Sequence, residues 1–267
     1  MIHFVGAGSG AVDLITVRGA RLLGAADLII YAGSLVNPEV LAYAKPDSVV
    51  MDSARMTLED VVGAMAEAEA EGKMTVRLHT GDPCVYGAHR EQMDKLDELG
   101  IPYEIVPGVS SFCGAAAALR AEYTLPEVSQ SVIITRMEGR TPVPEGEKMR
   151  ALASHGCTMV IFLSASLLDA VQEELLAGGA YAPDTPAAIV YKATWPEEAI
   201  YRCTVGTLAE TARAHDVTST ALITVGDFLG ANVARSRLYD PAFSHGYRAA
   251  ESANARRGSE AEDVAHE

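Results

Sequence analysis

Three short loops hold the residues best placed to touch a ligand. They are Gly6-Ala7-Gly8-Ser9-Gly10-Ala11, His79-Thr80-Gly81-Asp82-Pro83 and Val106-Pro107-Gly108-Val109-Ser110-Ser111. Glycines let main-chain N–H and C=O groups approach a ligand or another chain segment closely. The first loop matches G-x-G-x-x-G/A, the pattern of dinucleotide-binding turns. Such a turn needs an acid at the end of the second strand to hold a ribose. Here the strand 28–31 ends in Ala32-Gly33-Ser34, and Asp27 precedes it, which weighs against a nicotinamide cofactor. A plain strand–helix turn explains the glycines equally well. In the second loop Gly81 admits an unusual backbone angle, Pro83 stiffens the exit and Asp82 adds a carboxylate, although Gly-Asp-Pro is also an ordinary turn. In the third, Ser110 and Ser111 read first as caps of the helix that follows.

Such loops need strand ends to carry them. Short apolar runs at 2–5, 28–31, 48–51, 74–79 and 103–106 read as strands, with helices at 16–25, 58–71 and 87–99 between them. This alternation implies crossover connections and a mainly parallel sheet. Ligands gather at the carboxyl ends of the strands in sheets of that kind. A boundary falls at 112–130, where an Ala-rich helical stretch, 112–119, gives way to Leu125-Pro126 and a new strand at 131–136. Arg140-Thr141-Pro142-Val143-Pro144 is a loop, because each proline removes a backbone donor and restricts φ. Further strands at 158–163, 187–191, 201–205 and 220–225, with helices at 145–154, 166–177 and 206–215, make the second half α/β as well, with a mixed sheet. The expected organisation is an N-terminal α/β domain over 1–115, a C-terminal one over 116–248, and a disordered tail over 249–267. No internal repeat is visible.

With 267 residues, 49% of them hydrophobic, the chain can bury a substantial core. No stretch approaches the ~20 apolar residues of a membrane helix, and the N-terminus reads as a strand rather than a signal peptide. Cys84, Cys113, Cys157 and Cys203 are scattered, which suits a reduced cytoplasmic protein and leaves no Cys/His quartet for zinc; no metal site is expected. The net charge of −15 argues against a nucleic-acid partner. An anionic small substrate would need a local positive pocket.

Taken together and in this order, the loops become specific. From residue 2 to about residue 230 the chain resembles the tetrapyrrole (class III) methyltransferase family. The match is carried by Val5-Gly6-Ala7-Gly8-Ser9-Gly10 with Asp13-Leu14-Ile15-Thr16, by Leu78-His79-Thr80-Gly81-Asp82-Pro83, by Val106-Pro107-Gly108-Val109-Ser110-Ser111, and by Thr185-Pro186 through Tyr191-Lys192-Ala193-Thr194. Ser9 stands where many members have proline in a G-P-G-D turn, and Ala11-Val12 separate Gly10 from Asp13. Three further stretches resemble the branch acting on ring carbon C11 of precorrin-4 or cobalt-precorrin-4. They are Tyr31-Ala32-Gly33-Ser34-Leu35-Val36, Thr135-Arg136-Met137-Glu138-Gly139-Arg140-Thr141-Pro142-Val143-Pro144 and Val190-Tyr191-Lys192-Ala193-Thr194-Trp195-Pro196.

The resemblance implies the α/β tetrapyrrole methyltransferase fold, with two α/β domains and a cofactor cleft between them, in a homodimer. It implies S-adenosyl-L-methionine as cofactor, S-adenosyl-L-homocysteine as its product, and a tetrapyrrole substrate in cobalamin corrin-ring synthesis. By motif position the cofactor contacts are Ser9, Thr80, Gly81, Asp82, Val85, Ser110, Ser111, Leu163, Ala193, Thr220 and Ala221. Methyl transfer from a sulfonium to an electron-rich carbon needs mainly alignment, so no catalytic side chain is singled out. The substrate's carboxylates favour Arg and Lys. Arg55, Arg136, Arg140 and Lys192 are the basic candidates, with His79, Tyr86 and Trp195 beside the loops. Each basic residue reads equally as a solvated surface charge, His79 as a packed histidine and Trp195 as loop packing. The alternatives are another ring carbon, a ribosomal RNA or diphthamide substrate, an NAD-dependent oxidoreductase, and a non-catalytic ligand-binding protein.

Overall fold

The computed structural model describes residues 1–33, 35–230 and 237–250. Five strands form the first sheet: β1 (Ile2–Gly6), β2 (Leu28–Tyr31), β3 (Val49–Asp52), β4 (Thr75–His79) and β5 (Tyr103–Val106). Their order is β3-β2-β4-β1-β5, and every pairing is parallel. Every residue of β1 and β4 is buried. Helices cover both faces of this sheet, so its central strands read as continuous buried runs. On one face Val5, Val76 and Leu78 pack with Leu23 of α1 (Val17–Ala25). On the other, Ile2, Phe4 and Ile30 pack with Val61 and Met65 of α2 (Leu58–Ala70) and with Met93 and Leu96 of α3 (Arg90–Glu98). Helix starts follow local chemistry. Thr16 accepts from the Gly19 N–H at the head of α1, and Thr57 with Asp60 forms a reciprocal capping box at the head of α2.

The second sheet contains β6 (Val132–Arg136), β7 (Thr158–Phe162), β8 (Pro186–Tyr191), β9 (Ala199–Thr204) and β10 (Ala221–Val225), in the order β6-β7-β10-β8-β9. It is mixed, as expected: β6 and β7 are parallel, and the other neighbours are antiparallel. One face buries Met159, Ile161, Ile189 and Ile223 against α5 (Met149–Ala153), α6 (Leu168–Ala177) and α7 (Leu208–Ala214). The other buries Val160, Ala188, Val190 and Leu222 against Ala115 and Leu119 of α4 (Ser111–Leu119). Helix α4 therefore leaves the first sheet at β5 and packs on the second, and position 115/116 falls inside it.

Several boundaries differ from the pattern reading. The helix expected over 145–154 divides into a 3-10 turn, Glu145–Glu147, and the short α5, because Lys148 between them is extended at φ −59° and ψ 143°. The helix expected from 87 begins only at Arg90, since Tyr86 and Ala88 take positive φ, 55° and 47°. Helices α6 and α7 are each preceded by a 3-10 turn, Ala165–Leu167 and Val205–Thr207. A 3-10 helix at Pro38–Tyr43, capped by Asn37, has no counterpart in the pattern reading. Of the expected tail, 251–267 lies outside the described residues. Among the described residues no helix is long and apolar enough to cross a membrane.

Candidate functional site

Strands β4, β1 and β5 are side-by-side and parallel, so the loops that leave their carboxyl ends emerge together. The first two of these loops meet main chain to main chain. The Gly8 N–H donates to the Gly81 carbonyl at 3.2 Å and the Gly81 N–H to the Gly8 carbonyl at 2.8 Å. The glycines are required here by sterics. A Cβ on Gly6 would stand 2.6 Å from the Gly81 carbonyl oxygen, and one on Gly108 would stand 2.2 Å from it. Three glycines, one from each loop, thus touch at one point. Asp82 fastens the arrangement: Oδ1 accepts from the Cys84 N–H and Oδ2 from the Gly108 N–H, both at 2.8 Å. Burial pushes its carboxyl upward. The Cys84 and Gly108 hydrogen bonds and the His89 charge outweigh this, holding it below the usual carboxylate range.

The opposite wall comes from the second sheet. Because β10 runs antiparallel to β7 and β8, its first residues lie at the same end as the last residues of those two strands. Leu163, Lys192, Ala193 and Thr220 therefore meet. The walls are joined where Ser9 Oγ and Thr194 Oγ1 hydrogen-bond at 3.0 Å and the Ala11 N–H donates to Thr194 Oγ1 at 3.1 Å. Gly114 on α4 leaves room for this pair, since a Cβ there would lie 3.0 Å from Ser9 Oγ and from Thr194 Cγ2.

Between the walls is a cavity of about 490 Å³, within the usual size of small-molecule sites. All eleven residues expected from motif position to contact a cofactor line it: Ser9, Thr80, Gly81, Asp82, Val85, Ser110, Ser111, Leu163, Ala193, Thr220 and Ala221. So do Tyr86, Lys192 and Trp195. Pattern reading missed Leu35, Phe162, Thr218 and Ser219, which also line it; the polar pair just before a strand was the one available signal. Tyr86, Leu163, Lys192 and Thr220 hold positive φ values of 55°, 51°, 44° and 51°. Strained backbone of that kind costs on the order of 1–3 kcal/mol per residue and gathers at functional sites. Leu163, 59% exposed, presents an apolar side chain to the cavity.

Some expectations change. Ser110 occupies the N-cap of α4, yet its side chain makes no capping hydrogen bond; it is buried and lines the cavity instead. The first loop opens into a 3-10 turn, Val12–Leu14, and α1 begins only at Val17. No α-helix N-terminus follows the glycines directly, as a dinucleotide turn requires. The space beside Gly10 is taken by Trp195, whose Cδ1 would be 2.1 Å from a Cβ there. His79 is buried against the rings of Phe4 and His89 and lines a second, neighbouring cavity. Burial, with the charges of Arg77 and His89, drops its pKa to about 3, so it is neutral near pH 7.

The basic candidates separate. Lys192 Nζ lies 5.3 Å from the Trp195 ring centroid and 3.7 Å from Glu197, at the cavity wall. Arg136 donates to the carbonyls of Met137, Thr141 and Pro142, so it orders its own loop. Arg140 and Arg55 are exposed and line neither cavity.

The family model for Tetrapyrrole (Corrin/Porphyrin) Methylases matches residues 1–209. The chain belongs to this family. Within it, the chain is 52% identical over 248 residues to the cobalt-precorrin-4 C(11)-methyltransferase of Methanocaldococcus jannaschii, covering 92% of this chain and 95% of that one. A solved cobalt precorrin-4 methyltransferase of cobalamin biosynthesis superposes with a TM-score of 0.84 at 49% identity, over 86% of this chain and 96% of that one. A uroporphyrin-III C-methyltransferase from Thermus thermophilus, solved with S-adenosyl homocysteine, superposes with a TM-score of 0.71 at 25% identity, over 86% and 93%. The fold is thus that of the tetrapyrrole methylases, as the loop signatures imply.

Proposed function

We propose that this chain is an S-adenosylmethionine-dependent methyltransferase that methylates ring carbon C11 of precorrin-4, or of its cobalt-bearing counterpart, giving precorrin-5 in corrin-ring synthesis. The observation that carries the reading is the convergence of three glycine-bearing loops on one cavity, in a chain 52% identical to a C(11)-methyltransferase. S-adenosyl-L-methionine, when bound, supplies a methyl group on a positively charged sulfur, a good leaving group. The residues present fit such a molecule. Thr80, Gly81, Ser110 and Ser111 offer hydroxyls and main-chain groups, while Val85, Leu163 and Ala193 offer apolar walls to an adenine.

The work of the chain is then alignment and exclusion of water, which can lower a barrier by several kcal/mol without an acid or a base. Asp82 has both carboxylate oxygens engaged by main chain, and its part is to hold the loops. Lys192, Tyr86 and Trp195 flank the cofactor cavity and meet the carboxylate-bearing ring. A cytoplasmic homodimer belongs to the same proposal.

The test is methyl transfer from carbon-13-labelled S-adenosylmethionine to precorrin-4 and to cobalt-precorrin-4, read by NMR. Label at C11 is expected. Label at another ring carbon would overturn the regiochemistry. NAD binding without S-adenosylhomocysteine binding, by calorimetry, would overturn the reaction class.

A further inference from the structure

The second cavity, of about 360 Å³, lies on the α2–α3 side of the parallel sheet. It shares Leu35, Thr80 and Tyr86 with the first, so the two are neighbours. Its lining includes a charge that no described residue neutralises. Arg77 and His79 are two residues apart on β4, and their side chains therefore share one face. Arg77 is 6% exposed. Its Nε donates to Gln92 Oε1 and its guanidinium to the Ile30 carbonyl, each at 3.1 Å. Both acceptors are neutral. The chain has 36 acidic residues against 21 basic ones, yet among the described residues none comes within 4.0 Å of this guanidinium. Glu91 lines the same cavity, is exposed, and makes no ion pair with it. A buried cation without a counter-charge is unfavourable. Burial alone pulls its pKa down to about 10.

A second group in the same cavity is incomplete. His79 is 3% exposed, and among the described residues its Nε2 has no hydrogen-bond partner. That nitrogen donates or accepts according to the tautomer.

We propose that this cavity is a carboxylate subsite for the tetrapyrrole, in which one acetate or propionate arm pairs with Arg77 and takes a further contact from the unpartnered nitrogen of His79. The assignment rests on the methyltransferase reading above. It accounts for a buried guanidinium held by neutral acceptors only, beside the cavity where the ring would meet the cofactor.

Gln92→Glu tests it with little change of shape. The new carboxylate pairs with Arg77 internally and competes with the substrate arm. The KM for precorrin-4 should rise about tenfold or more, since hydrogen bonds to charged groups contribute roughly that factor or above. S-adenosylhomocysteine affinity by calorimetry should stay within about twofold of wild type. Uroporphyrin III, an octacarboxylate probe read by fluorescence quenching, should weaken in parallel. Arg77→Met should act in the same direction, and Arg77→Lys should recover part of the loss. If Arg77→Met does not fold, Gln92→Glu still decides the matter. Unchanged KM and probe affinity in Gln92→Glu would overturn the subsite, as would an equal loss of S-adenosylhomocysteine affinity. Probe binding lost in Gln92→Glu, with a wild type that never methylates a tetrapyrrole, would instead retain the subsite and sink the methyltransferase reading.

Discussion

Oδ2 of Asp82 accepts a hydrogen bond from the Gly108 N–H at 2.8 Å, joining two loops whose residues are 26 positions apart in the chain. Its other oxygen holds the Cys84 N–H. Asp82→Asn would turn an amide group toward one of these donors and lose a charge-assisted bond. A loss of about 1.5–3 kcal/mol of stability is expected, read as a lower Tm, with weaker S-adenosylhomocysteine binding. At saturating substrates kcat should fall far less than for loss of a base. A collapse of kcat with unchanged Tm would make Asp82 a reacting group.

One substitution type should change sign with position. Gly108→Ala places a methyl 2.2 Å from the Gly81 carbonyl oxygen. Overpacking against main chain should cost about 1–3 kcal/mol or more and open the cofactor cavity. Gly63, inside α2, has nothing within 4 Å of a Cβ. There the same change should stabilise by about 0.5–1 kcal/mol through helix propensity. Denaturant titration of both variants measures the pair.

Acid should destabilise the fold before carboxylates titrate. Burial lowers the His79 pKa from 6.5 to about 3, and burial also lowers that of His89. Between those pH limits the unfolded chain binds the His79 proton and the folded chain does not. Stability from this group is therefore full above pH 6.5 and declines as pH falls toward 3, at up to roughly 1.4 kcal/mol per pH unit. Asp82, with its lowered pKa, adds to the loss only below the ordinary carboxylate range. A Tm profile from pH 7 to 5 should slope downward in wild type and flatten in His79→Gln. An unchanged slope would assign the effect elsewhere.

Lys192 is the basic candidate that reaches the cofactor cavity. Lys192→Met should weaken uroporphyrin III binding about tenfold and leave S-adenosylhomocysteine binding nearly unchanged. Arg140→Ala, on an exposed loop away from both cavities, should change neither. Equal effects of the two substitutions would count against this placement of the ring.

The Ser9–Thr194 hydrogen bond joins residues 185 positions apart. A double-mutant cycle with Ser9→Ala and Thr194→Val should give a coupling of about 0.5–1.5 kcal/mol, measured by chemical unfolding. Additive effects would show that the two walls are held independently.

Local chemistry made much of this protein legible in sequence. The apolar run 28–31 coincides with β2 to the residue, because strand length and burial leave a local trace. The Gly-Asp-Pro turn and the two other loops were visible as places where backbone comes close to something. What they come close to was not visible. Gly6, Gly81 and Gly108 touch one another because β4 lies between β2 and β1 and β5 flanks β1, an order set by long-range pairing. Positive φ at Tyr86, Leu163, Lys192 and Thr220 is imposed by tertiary packing on residues whose types do not favour it. Arg136 looked like an anion donor and is occupied by three carbonyls of its own loop. Arg77 reads in sequence as one residue of the strand 74–79, and only the fold buries it beside a cavity where, among the described residues, no carboxylate lies within 4.0 Å of it. Sequence records which groups are present and their local periodicity. Whether a charge is paired, buried or free depends on neighbours tens to hundreds of residues away, and those are chosen by tertiary structure.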